Sequence, residues 1–426
     1  MPDYLLTLVV AVVFLLITLA KPMLGVGLML VTLYFPLLPL VRLGPVEFSV
    51  TALPALGLAL GALLRSKSQV DRVSLVGWQK GLLVALVLVF LLSSLFTTNV
   101  DATTRMLPNL LIYLLILAGI MAEVNTPAKL QSLVKLIVVL AFILSIWRVE
   151  LKMMRSVLGL SSLSINGAVF NFHPAVFLTL VILLFPQVQA FSMRWRLFAA
   201  LALISMLIHG IQYETRAAWL TWALVMPVLL SRVSLKGWMR LAPVAVSVVL
   251  ISASIYATAI GVNYTQARLS IRAGLGQTEY DVISQDDRFR LLIRDAGLRM
   301  FQDRPVLGWG ANTFNLLKPQ FSSSNIETQV AGAFNAWLSL LVEMGLVGGL
   351  VGLMVSLVPL GITWFVFRKQ KNDVTALAFG FALGVLGLVI HLLFIDLMYS
   401  FYWTHVALAL AAARLALQAS PVQGAA

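Results

Sequence analysis

The chain alternates between long apolar runs and short polar breaks. Apolar runs lie near 4–20, 22–41, 48–64, 81–96, 106–122, 130–147, 173–189, 197–212, 217–231, 241–262, 346–367, 374–395 and 397–417. Each is close to the roughly 20 apolar residues that a helix needs to cross a hydrocarbon core of about 30 Å. Only Lys21 separates the first two runs, so the pattern predicts 12 or 13 spans. Strands of a membrane barrel alternate apolar and polar residues, and these runs do not. Backbone amides in lipid need internal partners, which leaves helices. The expected fold is all-α: a polytopic membrane bundle of 12–13 helices. The start, Met1-Pro2-Asp3-Tyr4, lacks a basic region and no small-residue cleavage site follows, so the first run reads as a retained helix.

One segment breaks the pattern. About a sixth of the chain, residues 263–333, holds eight of the 30 basic and seven of the 17 acidic residues. Three parts follow: N-terminal membrane helices over 1–262, a large loop over 263–333 and C-terminal membrane helices over 334–426. Loops longer than about 15 residues are commonly functional. Within this one, Phe289, Leu292/Ile293, Ala296 and Met300 recur at helical spacing. Asp286-Asp287 would cap that helix, and Pro305, Gly308 and Gly310 would stop it with a sharp turn.

Composition then sharpens the picture. Hydrophobic residues make up 60% of the chain and charged ones 11%, against roughly 25% charged in an ordinary soluble domain. The net charge of +13 does not point to nucleic acid, because the cations sit in short clusters between apolar runs. These are Arg65/Lys67/Arg72/Lys80, Arg194/Arg196, Arg232/Lys236/Arg240 and Arg368/Lys369/Lys371. Placed inside by the positive-inside rule, that side holds 16 Lys and Arg, against six in the short loops opposite. The long loop then faces away from the cytoplasm. The chain has no cysteine, so disulfides and thiolate-bound metals are excluded.

Candidate chemistry sits near that outer face. Arg216 follows a short turn, Tyr213-Glu214-Thr215, between two spans; it either pairs with Glu214 or binds an anion. Arg290 and Arg294 share a face of the loop helix and Arg288 points elsewhere, so the arginines either make a salt-bridged surface or clamp a diphosphate. Glu343 stands where a membrane run begins, as a hydrogen-bond partner or an acid. The four histidines, His173, His209, His391 and His405, lack metal-ligand spacing. His209 stands seven residues before Arg216, which would put both on one helix face.

Three stretches in order carry a resemblance. They are Thr215-Arg216-Ala217-Ala218-Trp219-Leu220; Asp287-Arg288 leading to Arg304-Pro305-Val306-Leu307-Gly308-Trp309-Gly310-Ala311-Asn312-Thr313-Phe314; and Phe334-Asn335-Ala336-Trp337-Leu338 leading to Glu343-Met344-Gly345-Leu346-Val347-Gly348. Their order and spacing resemble the bacterial O-antigen ligase and Wzy-type polymerase superfamily. The resemblance implies a membrane glycosyltransferase that moves a glycan from undecaprenyl diphosphate to a lipid or glycan acceptor at the periplasmic face, in cell-surface polysaccharide biosynthesis. It implies no cofactor and no metal. Partners would be the lipid-linked glycan, the acceptor and membrane lipids. It assigns the diphosphate to Arg216 and Arg288, with Arg290 beside them, and gives Pro305, Gly308, Gly310 and Asn335 structural parts. One departure stands out. Family members typically have a histidine just before the Asn of the third stretch, and this chain has Phe334, which cannot take a proton. Glu343, His209 and His391 are the remaining candidates for a base. The competing readings are a transporter or binding protein for an anion or lipid-linked sugar, and an inactive scaffold of an export system.

Overall fold

The computed structural model describes residues 2–35, 41–43, 46–48, 52–66, 75–158, 171–212, 216–233, 279–322, 335–395 and 400–419. Helices occupy twelve of the thirteen apolar runs: α1 Pro2–Ala20, α2 Pro22–Tyr34, α3 Ala52–Ser66, α4 Gly77–Leu95, α5 Val100–Glu123, α6 Pro127–Leu158, α7 Phe172–Leu184, α8 Met193–Gln212, α9 Arg216–Leu230, α12 Ala336–Lys369, α13 Asp373–His391 and α14 Ser400–Gln418. The run 241–262 lies outside the described residues. Two further helices, α10 Glu279–Asp303 and α11 Phe314–Phe321, belong to the large loop. Lys21 does separate two helices: its backbone is non-helical and Pro22 opens α2. Seven of the described helices are long and apolar enough to cross a membrane.

Two boundaries differ from the apolar pattern. The run 22–41 is helical only to Tyr34, because Pro36 disfavours helix at Phe35 and cannot donate an amide hydrogen. Val41–Leu43 and Val46–Phe48 then pair as a short antiparallel hairpin with Arg42 opposite Glu47, the one sheet among the described residues. The loop helix is also longer than expected. It begins at Glu279, so Asp286 and Asp287 lie inside it and do not cap it.

Burial sorts the helices. In α13 and α14, 83% and 89% of the spanning window is buried in protein, against 28% in α4. So α13 and α14 are central and α4 faces outward. Around the centre, α13 packs against α7, α9, α12 and α14, while α14 packs against α2, α5 and α12. Small residues permit close approach between membrane helices. A side chain at Gly384 of α13 would sit 2.8 Å from the Pro174 Cα of α7.

Helix ends gather into two groups. Glu123, Lys129, Phe185–Arg196, Arg232, Arg368–Asp373 and Arg414 meet at one end of the bundle. The α4–α5 corner, the turn after α10, the start of α12 and the end of α13 meet at the other. The alternation expected from the charge clusters is therefore present, with the described basic clusters at the first end.

Candidate functional site

The site is built around a break in α12. At Gly345 the backbone leaves the helix, with φ 65° and ψ −169°. Such a break strands carbonyls on one side and N–H groups on the other. All four stranded groups find backbone partners in the turn after α10. Trp309 N donates to Val342 O at 2.9 Å and Gly310 N to Glu343 O at 2.9 Å. Leu346 N donates to Pro305 O at 2.8 Å and Val347 N to Val306 O at 3.3 Å. We call this pairing the clasp. It joins the glycine motif to the Glu-Met-Gly motif, which the sequence shows only as two separate stretches.

Glycine is required here for two reasons. Gly308, Gly310 and Gly345 have φ of 72°, 108° and 65°, a region L side chains avoid. A Cβ at Gly345 would also lie 2.1 Å from Val306 O, and one at Gly310 2.0 Å from Thr97 Oγ1. The α4–α5 corner closes the third side. Ser93 Oγ donates to Glu343 O at 3.0 Å, Thr98 N to Trp309 O at 3.0 Å, and Thr103 Oγ1 to Ala311 O at 3.0 Å. None of these threonines or serines stood out in the sequence.

The clasp seats the loop helix. Trp309 Nε1 donates to Met300 O at 2.8 Å, in the last turns of α10, and the Arg304 guanidinium lies 4.3 Å from the Trp309 ring centre. The apolar stripe read from the sequence is real: Ile293, Ala296 and Met300 are fully buried. Ile293 and Met300 pack with Phe314, Leu338 and Val342. Arg290 and Arg294 are half-buried on the same helix. Arg288 lies inside α10, not near its start, since the helix begins at Glu279. Glu343 sends Oε1 to Phe314 N at 3.3 Å, the first amide of α11. A carboxylate there satisfies an unpaired N–H and complements the helix dipole.

The opening of α12 is fixed to α13. Asn335 caps α12 by accepting from Leu338 N at 3.0 Å. Ala336 N donates to both Leu392 O and Ile395 O at 2.9 Å, and Trp337 Nε1 to Val389 O at 2.8 Å. Residue 334 itself lies outside the described residues. His391, the last residue of α13, is therefore adjacent to the carbonyl that holds the Phe334-Asn335-Ala336 motif.

His391 belongs to a buried chain. Trp222 Nε1 of α9 donates to His173 Nδ1 of α7 at 3.0 Å, and His173 Nε2 lies 2.8 Å from His391 Nδ1. An indole can only donate, so His173 accepts at Nδ1 and carries its hydrogen on Nε2. That hydrogen points at His391 Nδ1, which accepts, and the His391 hydrogen is then on Nε2. The chain makes His391 a donor through Nε2, not a ready base. His209 is buried edge-on to Phe172, with ring centres 4.9 Å apart. It does not share a helix with Arg216: α8 ends at Gln212 and Arg216 is the first residue of α9.

Comparison with known families meets this geometry at its centre. Residues 201–353 match the family model described as O-antigen ligase. This segment is similar to an O-antigen ligase domain. The match supports placing the chain in the O-antigen ligase and polymerase superfamily, whose work is polysaccharide biosynthesis. No curated protein sequence matches the chain.

The matched segment spans Arg216, Arg288, Arg290, the whole clasp and Glu343, but not all that holds them. Ser93, Thr98 and Thr103 come before it, and His391 comes after it. Beside the clasp, α4, α5, α12 and α14 enclose an apolar cavity of about 160 Å³, with Tyr113, Ser339, Glu343 and Tyr402 as its polar lining. Among the described residues, no group of three or more His, Asp or Glu is arranged to hold a metal ion.

Proposed function

We propose that this protein is a glycosyltransferase that moves a glycan from undecaprenyl diphosphate to a lipid or glycan acceptor at the clasp end of the bundle. The observation that carries the reading is the clasp. It ties together two stretches of the O-antigen ligase domain and seats the arginine-bearing α10 against the start of α12. As the sugar bond breaks, negative charge develops on the departing diphosphate. Arg216 and Arg288, with Arg290 beside Arg288, supply forked donors suited to it. Since Phe334 offers no base, the acceptor hydroxyl bonds to the sugar carbon as the bond to the diphosphate oxygen breaks, and its proton passes late to the departing diphosphate. The charge pattern supports a periplasmic position for the clasp end.

The test is substitution in cells. Arg216→Ala and Arg288→Ala should each abolish glycan assembly while the protein still accumulates in the membrane. Normal glycan in both variants would overturn the proposal. The transporter reading draws on Phe334; flux of a lipid-linked sugar in proteoliposomes with no transfer product would establish it instead.

A further inference from the structure

The end of the bundle opposite the clasp holds a second polar cavity, of about 370 Å³. It lies between the C-terminal ends of α7, α9 and α12. Arg232, Arg368 and Lys371 line it together with Gln187 and Ser231, and among the described residues no acidic one does. The nearest acid on an adjoining element, Asp373, is occupied elsewhere: its two oxygens accept from Gln189 N at 2.6 Å and Ala190 N at 3.1 Å.

Three features separate this cluster from ordinary loop cations. First, the charges converge. The positive-inside rule asks only that cations lie in loops on one side; it gives no reason for three of them to face one cavity. Second, Arg232 is held in place. Its guanidinium carbon lies 3.6 Å from the centre of the Trp364 ring, a cation–π geometry. Its Nε is buried and has no hydrogen-bond partner among the described residues, and a buried guanidinium N–H without an acceptor is costly. Burial, and then the Arg368 charge, lower the Arg232 pKa from its ordinary value. Third, the neighbouring surface is apolar and faces outward. Phe365, next to Trp364 on α12, is 64% exposed. The cavity therefore lies at the junction of a lipid-facing helix and the polar end of the bundle, the level of phospholipid headgroups.

We infer that this cavity binds a phosphate-bearing anion, and that its occupant in the membrane is the headgroup of an anionic phospholipid. Basic pockets between membrane helices are suited to such headgroups. The phosphate completes the hydrogen bonding of Arg232 and relieves the repulsion between Arg232 and Arg368. The site is on the other side of the bundle from the clasp and does not depend on the activity proposed there.

The experiment uses the full chain in detergent, titrated with short-chain phosphatidylglycerol or phosphatidylcholine, with bound lipid counted by native mass spectrometry. Phosphatidylglycerol should bind more tightly than phosphatidylcholine. Arg232→Gln, Arg368→Gln and Lys371→Gln should each weaken it by about fivefold, from roughly 1 kcal/mol per basic side chain. Arg194→Gln, an exposed cation at the same end that does not line the cavity, should leave binding unchanged. Lys371 is exposed in the turn between α12 and α13, so its variant tests the site even if Arg232→Gln does not fold. Inorganic pyrophosphate serves as the second arm: competition with the lipid shows that the free anion reaches the same site, and no competition restricts it to the headgroup. Equal binding of the two lipids, or unchanged binding in the Arg232, Arg368 and Lys371 variants, would overturn the inference.

Discussion

The two ends of the bundle solve one problem in different ways. Every helix end or break leaves backbone groups without helical partners. At the basic end, side chains supply much of the remedy. Lys129 Nζ reaches Glu123 O at 2.9 Å and the Glu123 carboxylate at 2.8 Å; Arg414 donates to Val124 O at 3.1 Å, and Arg196 to Val188 O. Cations on C-terminal carbonyls also suit the helix dipole. At the clasp end the backbone does the work. The four groups freed at Gly345 pair with amides and carbonyls of residues 305–310. A side-chain cap can be replaced by another donor or by water. A backbone pairing made at positive φ, against a neighbour 2.1 Å from where a Cβ would stand, admits only glycine. By this difference one end tolerates change and the other, where the segment matching the O-antigen ligase model has its motifs, does not.

That contrast can be broken experimentally. The largest effect should come from Gly345→Ala or Gly310→Ala. Positive φ together with backbone-level overlap should cost more than about 3 kcal/mol, read as a lowered unfolding midpoint in detergent and reduced membrane accumulation. Gly361→Ala, in the same helix with open space around it, should change stability by less than about 1 kcal/mol. Equal behaviour of Gly345→Ala and Gly361→Ala would remove the argument for the clasp.

A middle effect is expected at Glu343. Glu343→Ala should lose about 1 kcal/mol by removing the acceptor for Phe314 N. Glu343→Gln keeps an acceptor oxygen and should retain both stability and glycan assembly. A stable Gln variant that assembles no glycan would instead make Glu343 a proton carrier. The smallest effect belongs to the basic end. Lys129→Met should cost under about 1 kcal/mol, as partly exposed ion pairs do. A loss as large as that of Gly345→Ala would erase the distinction between the two ends.

Much of the architecture was legible along the chain. The apolar runs place twelve helices, and the last long one is cut where the run near 346–367 begins, one residue past Gly345. The stripe Ile293, Ala296 and Met300 and the turn at Gly308 and Gly310 were also readable, since period and glycine placement are local properties. Other features were not. The hairpin at 41–48 falls in the short break between two apolar runs, too brief to show a period-2 pattern. The start of α10 at Glu279 follows Thr278, three residues before Asp281, a capping-box spacing outweighed by the Asp286-Asp287 pair beside the apolar stripe.

The sequence by itself determined what each segment must be in lipid, because hydrophobic length and charge placement act residue by residue. Only the tertiary structure decided which segments complete each other. The His173–His391 contact joins residues 218 apart, the Ser93–Glu343 bond residues 250 apart, and Glu343 becomes a helix cap only once α11 is docked beside it. Hydrogen-bond partners at such separations are chosen by how helices pack, and no local pattern records that choice.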